Sequence, residues 1–62
     1  MKKYVIRNIK RNNYYAKHIS NEISHFVCDV EEARKFNSKK QAINTINKIG
    51  KQENYEIKEY YI

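Results

Sequence analysis

The chain has 62 residues, 13 Lys and Arg against 7 Asp and Glu, a formal net charge of +6, one Gly, one Cys and no Pro. A domain of this length buries only about 60% of the surface that its unfolded chain exposes, so we expect a single small domain over residues 1–62 and no deep substrate pocket. The lone Cys28 excludes an intramolecular disulfide, and the chain lacks the ligand spacing of a structural metal site.

Short runs of β-branched and aromatic residues predict three consecutive strands in the first half of the chain. The first run covers residues 4–9, and the polar residues 10–13 that follow it are typical of a turn. The second strand is expected at residues 14–19, with residues 20–22 closing it, and the third at residues 23–30. These runs together predict an antiparallel meander.

The spacing of apolar residues changes after the third run. Val30, Ala33 and Phe36 recur every three residues. The acids of this segment lie before Ala33 and its bases after it: Asp29, Glu31 and Glu32, then Arg34 and Lys35. This charge order suits the helix dipole, and it predicts a single helical turn or a short helix.

A longer helix is predicted to begin at Ser38. Ser38 and Gln41 have the spacing of a capping box, and the only glycine, Gly50, is placed to end the helix in a left-handed conformation. One stripe of this helix is apolar and is expected to pack on the sheet; it consists of Ala42, Ile43, Ile46 and Ile49.

Residues 55–62 begin with alternating polar and apolar side chains and predict a final strand. The expected order is β-β-β-α-β, an α+β fold in which one main helix packs on the sheet. One helix of this length covers only one sheet face, so the other face is left open or shared with a partner.

The sequence offers few groups for catalysis. His25 and Cys28 are the only pair that suggests a metal site or a thiol catalyst. A strand, however, places residues three apart on opposite faces. We therefore interpret Cys28 as a small buried hydrophobic residue and His25 as a half-exposed sheet residue. A chain with one glycine cannot form a glycine-rich phosphate loop. The sequence predicts a protein that is not an enzyme and holds no cofactor or metal.

The positive charge is concentrated in the amino-terminal third. Residues 1–21 contain no acid, whereas bases and acids balance over residues 22–62. Adjacent tyrosines in a strand must point to opposite faces, and a surface tyrosine beside arginine suits either base stacking or a protein interface. The candidate residues for binding a partner or a nucleic acid are Lys2, Lys3, Arg7, Lys10, Arg11, Tyr14, Tyr15 and Lys17.

Two stretches carry a family resemblance: Tyr14-Tyr15-Ala16, and residues 26–42, FVCDVEEARKFNSKKQA. They resemble the YYL-like strand, the DI-x-x-A-K-x-F segment and the S-x-x-E/Q-A helix start of small accessory proteins from phages and prophages of AT-rich Gram-positive bacteria. The resemblance implies a non-enzymatic binding protein, such as an anti-CRISPR-type inhibitor of host defence. Many anti-CRISPR proteins are acidic mimics of DNA, and this basic chain departs from that pattern.

Three hypotheses about function follow. The leading one is a phage or mobile-element protein that inhibits a host defence or nucleic-acid-processing complex by covering the surface of a protein or ribonucleoprotein. The second is a small basic protein that binds RNA or DNA directly. The third is a structural homo-oligomer, because the uncovered sheet face needs a partner. Since no signal-peptide or membrane-length apolar run occurs, we expect a cytoplasmic protein of the bacterial host cell with no membrane partner.

Overall fold

The computed structural model describes residues 1–20 and 23–62, and within them it confirms the predicted α+β fold. The strands form one antiparallel sheet in the order β3-β2-β1-β4, and a helix packs on one face of it. The predicted end of the second strand includes Asn21 and Glu22, which lie outside the described residues. The elements are β1 (Lys2–Asn8), β2 (Asn13–Ser20), β3 (Ile23–Val27), a 3-10 turn (Val30–Glu32), α1 (Lys39–Ile49), a second 3-10 turn (Gln52–Asn54) and β4 (Tyr55–Tyr61).

The side chains of the sheet alternate between two faces, which we call the helix face and the outer face. Ile6, in the central strand β1, is fully buried on the helix face. Around it lie Tyr15, Phe36, Ala42 and Ile46, which complete the buried cluster. Partly buried apolar side chains surround this cluster: Tyr4, Phe26, Ile49, Tyr55 and Ile57.

A short crossing segment, residues 33–36, fills a gap in the sheet. β1 and β2 pair only beside their turn, at Arg7 with Tyr14 and Asn8 with Asn13. Farther along, Phe36 and Tyr4 exchange two backbone hydrogen bonds of 2.8 and 2.9 Å, and the Arg34 N–H donates to the Tyr15 carbonyl at 3.0 Å. The segment thus satisfies backbone groups that the diverging strands leave unpaired.

The crossing segment also contributes a large side chain to the core. Phe36 is only 5% exposed, and its ring stacks on that of Tyr15 with 6.3 Å between the centroids. Because Ser38 follows two residues later, the same segment delivers the start of α1 to the helix face.

Helix α1 begins and ends at the predicted residues, but Gly50 combines its positive φ with an extended ψ of 179°, and the left-handed conformation itself falls on Lys51. The Ser38 hydroxyl accepts a hydrogen bond from the Gln41 N–H at 3.3 Å, while the Gln41 side chain accepts from the Asn37 N–H at 3.1 Å. The returning bond therefore reaches one residue before the cap, instead of the cap itself. At the other end, Gly50 adopts a φ of +83°, and its N–H donates to the Ile46 carbonyl at 2.9 Å.

The apolar stripe of α1 is narrower than predicted. Ala42 and Ile46 are buried and Ile49 is half-buried, but Ile43 is 47% exposed. Ile43 lies on the side of α1 that faces β4, which is the last strand of the sheet. No further strand of the described chain is there to cover it.

The third strand is shorter than predicted, and this corrects the interpretation of Cys28. β3 ends at Val27, and the chain then turns, with the Asp29 carboxylate accepting a hydrogen bond from the Glu31 N–H at 2.9 Å. Cys28 lies in this turn and is exposed, so the prediction that it is buried is wrong. His25 lies in β3 and is exposed. The predicted helical turn is confirmed at Val30–Glu32.

Two isoleucines of α1 provide a matched test of this packing. Ile46→Ala should lower the free energy of unfolding by about 2–5 kcal/mol, because it removes buried methyl groups and leaves a cavity. Ile43→Ala should lower it by less than about 1 kcal/mol, because the side chain is already half in water. Urea denaturation of dilute protein, followed by circular dichroism, measures both free energies of unfolding. Equal losses for the two variants would contradict the observed orientation of α1.

Candidate functional site

A groove of about 970 Å³ opens on the helix face at one end of the sheet. It lies between the β1–β2 turn, strand β3 and the segment that follows α1, and its volume is at the upper end of the range of ligand clefts. We call it the basic groove. Its lining consists of Asn8, Lys10, Arg11, Asn13, Ile23, Ser24, Phe26, Ile49, Lys51, Asn54 and Tyr55.

Two distant chain segments supply the cations of the basic groove. Lys10 and Arg11 lie in the β1–β2 turn, and Lys51 follows the glycine that ends α1. The Ile9 N–H donates to the Asn54 carbonyl at 2.9 Å, which attaches the turn to the segment carrying Lys51. All three cations are exposed, and no Asp or Glu is among the described residues of the lining. The groove therefore has a positive potential that attracts anions.

The β1–β2 turn is held in shape by its asparagines. The Asn8 side chain accepts from the Arg11 N–H at 3.1 Å, and the Asn8 carbonyl accepts from the Asn12 N–H at 2.8 Å. Asn12 adopts a φ of +57°, a left-handed conformation that asparagine tolerates better than most residues. These bonds hold Lys10 and Arg11 at the tip of the turn.

Arg7 contacts the turn from the outer face. Its Nη1 forms an ion pair with Glu56 at 2.9 Å, and its Nε donates to the Asn12 side chain at 3.1 Å. The Arg7 side chain is only 23% exposed. Arg7 therefore ties the turn to β4 and positions it, and it is not part of the groove lining.

Two stacked aromatic rings also line the groove. The rings of Phe26 and Tyr55 are nearly parallel, at 9°, with 5.9 Å between their centroids. Both residues are half-buried, so part of each ring remains accessible from the groove. Asn13 also lines the groove, but its Oδ1 is enclosed by the fold and has no donor among the described residues. The groove thus combines cations with aromatic surface.

The eight predicted binding residues separate into groups. Lys10 and Arg11 come together in the basic groove. Tyr14 and Lys17 lie on the outer face, where Tyr14 is half-buried opposite Arg7 and Val27, and Lys17 is exposed opposite His25.

Three other predicted residues are engaged within the fold. Lys2 forms an ion pair with Glu59 at 2.9 Å, and Lys3 donates a hydrogen bond to the Asn37 side chain. Tyr15 is 5% exposed in the core, and burial raises the pKa of its hydroxyl. Including Tyr15 among the binding residues was wrong, because the alternation of strand side chains directs it, and not Tyr14, towards the helix.

Sequence reasoning missed Lys51, Phe26, Tyr55 and Asn13. Lys51 did not stand out in the sequence because positive and negative charges balance over residues 22–62. Phe26 and Tyr55 did not stand out because aromatic residues are common in strands. The position of Lys51, directly after the only glycine, places it at a chain reversal, but only the tertiary fold brings it to the turn.

Comparisons with known protein families, with curated proteins and with solved structures each give no match to this chain. Over residues 1–20 and 23–62, no helix is long and apolar enough to cross a membrane. The same residues contain no cluster of three or more His, Cys, Asp or Glu side chains arranged to hold a metal ion.

The Lys2–Glu59 pair predicts a pH effect. Lys2 lowers the pKa of Glu59 by donating a hydrogen bond to the carboxylate and by its positive charge. Because this pKa is lower in the folded state, the stabilisation is present above the ordinary carboxyl pKa and is lost as the pH falls through the lowered value. Lys2→Met should move the Glu59 titration back towards its ordinary range, as measured by NMR of the side-chain carboxyl. Lys10→Met, a control distant from Glu59, should leave the titration in place, and an equal shift in both variants would contradict the pairing.

Proposed function

We propose that this chain is a small non-enzymatic protein of the bacterial cytoplasm that binds single-stranded nucleic acid in the basic groove. The observation that carries this proposal is the convergence of Lys10, Arg11 and Lys51 beside the stacked rings of Phe26 and Tyr55. Cations together with accessible aromatic rings match the two chemical parts of a nucleotide chain, the phosphates and the bases.

The cations account for affinity towards the backbone. Lysine and arginine side chains that neutralise phosphates release condensed counterions, which favours binding at low salt. Lys10 and Arg11 in the turn and Lys51 in the segment attached to it give a flexible strand more than one cation to contact. This arrangement supports recognition of a flexible single strand.

The aromatic rings favour a single strand over a duplex. Bases in a duplex stack on each other, so their flat surfaces are not available to Phe26 or Tyr55. An unpaired base can enter the groove and stack there.

Single substitutions of the cations test the proposal. Binding of a fluorescent single-stranded RNA or DNA is measured by anisotropy over a range of salt concentrations. Lys10→Ala, Arg11→Ala and Lys51→Ala should each weaken binding and reduce the slope of log K against log salt by about 0.7 for each phosphate that is no longer neutralised. Lys17→Ala, which removes the same charge from the outer face, should change binding little.

Two results would contradict the basic groove as the binding site. One is an equal loss of affinity in Lys17→Ala and Lys51→Ala, because a diffuse positive charge would then explain binding. The other is wild-type protein that binds a duplex as tightly as a single strand of the same length. Circular dichroism of every variant separates a loss of binding from a loss of folding.

The aromatic rings need a separate substitution. Tyr55→Leu keeps an apolar side chain against the core and removes the flat ring, so affinity should fall by about 1–3 kcal/mol for each stacked base while the salt slope stays constant. Tyr61→Leu is the matched control, since Tyr61 is exposed at the opposite end of β4.

Inhibition of a host defence complex stays a prediction. A capture experiment distinguishes this function from nucleic-acid binding. Tagged protein is recovered from an expressing bacterial host with and without nuclease treatment. Material that disappears after nuclease supports the basic groove as a nucleic-acid site. A host protein that remains bound supports surface occlusion instead.

A further inference from the structure

Strand β4 has a free edge with a defined pattern of hydrogen-bonding groups. It is the last strand in the order β3-β2-β1-β4 of the described chain. Met1 and Ile62 exchange two backbone hydrogen bonds of 2.9 Å with each other, and Ile9 donates to Asn54 at the other end of the same ladder. Hydrogen-bonded pairs alternate along an antiparallel ladder, so every second residue of β4 points its backbone groups away from β1. The outward-pointing residues are Tyr55, Ile57, Glu59 and Tyr61.

This pattern restricts how a second copy can pair with the edge. An antiparallel ladder requires outward-pointing residues to lie opposite each other, so a twofold axis between two β4 strands must pass through a residue. An axis at Glu56, Lys58 or Glu59 would place that charged side chain opposite its own copy. Axes nearer the ends of β4 would leave most of the strand unpaired.

An axis at Ile57 has none of these defects. It places Ile57 against its own copy and Glu56 opposite Lys58 of the second copy, on both sides of the axis. These opposed charges fall at the positions without backbone bonds, where side chains approach most closely. Lys58 is exposed, and Glu56 is held beside it on the outer face by its ion pair with Arg7.

Apolar surface continues across the same edge on the helix face. A groove of about 410 Å³ between α1 and β4 is lined in part by Ile43, Ile46, Tyr55 and Ile57. A twofold axis through Ile57 runs perpendicular to the joined sheet, so both helices lie on the same side of it. The half-exposed Ile43 side chains of the two copies then face each other above the paired Ile57 residues.

We propose that two copies of this chain form a symmetric dimer by antiparallel pairing of β4 with β4, centred on Ile57. The joined sheet has eight strands, with the two helices on one face. Backbone hydrogen bonds hold the edges together, and the complementary charges of Glu56 and Lys58 select the register. This proposal is independent of nucleic-acid binding.

Charge complementation tests both the dimer and its register. Sedimentation velocity of the full chain over a range of concentrations should detect a reversible dimer. Lys58→Glu places acids opposite each other, and Glu56→Lys places bases opposite each other, so each variant alone should dimerise about tenfold more weakly. An equimolar mixture of the two variants restores opposite charges at both positions and should form the mixed dimer. Lys17→Glu changes the net charge as Lys58→Glu does, but on β2, and should dimerise as the wild type does.

Several results would overturn this dimer. The dimer is contradicted if the wild-type chain stays monomeric at the millimolar concentrations used for NMR. It is also contradicted if the equimolar mixture remains monomeric while both variants are folded. A loss of dimer in Lys17→Glu equal to that in Lys58→Glu would also overturn it, because net charge and not register would then control association. Circular dichroism confirms that each variant is folded, which matters most for Glu56→Lys because it also removes the Arg7 pair.

Discussion

The two backbone hydrogen bonds between Tyr4 and Phe36 are the interaction on which the rest of the fold depends. β1 and β2 separate beyond their turn, and without an inserted segment the β2–β3 and β1–β4 pairs would be joined only at that turn. The crossing segment closes this gap with its backbone and fills the core with its phenylalanine. It also leads directly into Ser38, so the position of α1 on the sheet follows from the same two bonds.

The positive charges of this chain serve two different purposes. Lys2 and Arg7 form ion pairs with β4, and the Lys35 ammonium donates to the Val30 carbonyl at 2.8 Å while lying 4.9 Å from the centre of the Tyr60 ring. These cations hold segments of the fold together. The cations of the basic groove, by contrast, are exposed side chains in the segments that line it. A net charge therefore overstates the number of side chains available to a ligand.

The proposed dimer and the proposed binding site are compatible in space. A twofold axis perpendicular to the sheet leaves both helices, and with them both basic grooves, on the same side of the assembly. Two grooves on one scaffold would bind a longer strand more tightly than either groove alone, because the second binding step becomes intramolecular. For a domain whose small size limits each single site, association through β4 supplies additional binding surface without a larger core.

The sequence by itself determined the elements and their order. Alternation and three-residue spacing identify the strands and α1, and Ser38 and Gly50 mark the ends of the helix, because these signals depend on neighbours only a few residues away. Lys10 and Arg11 could be assigned to a turn for the same reason. Only the tertiary structure decided that residues 33–36 separate β1 from β2, that Lys51 joins the turn, and that Ile43 and Cys28 are exposed. Periodicity reports which side of an element is apolar, but which segment covers that side depends on backbone bonds between residues far apart in the chain.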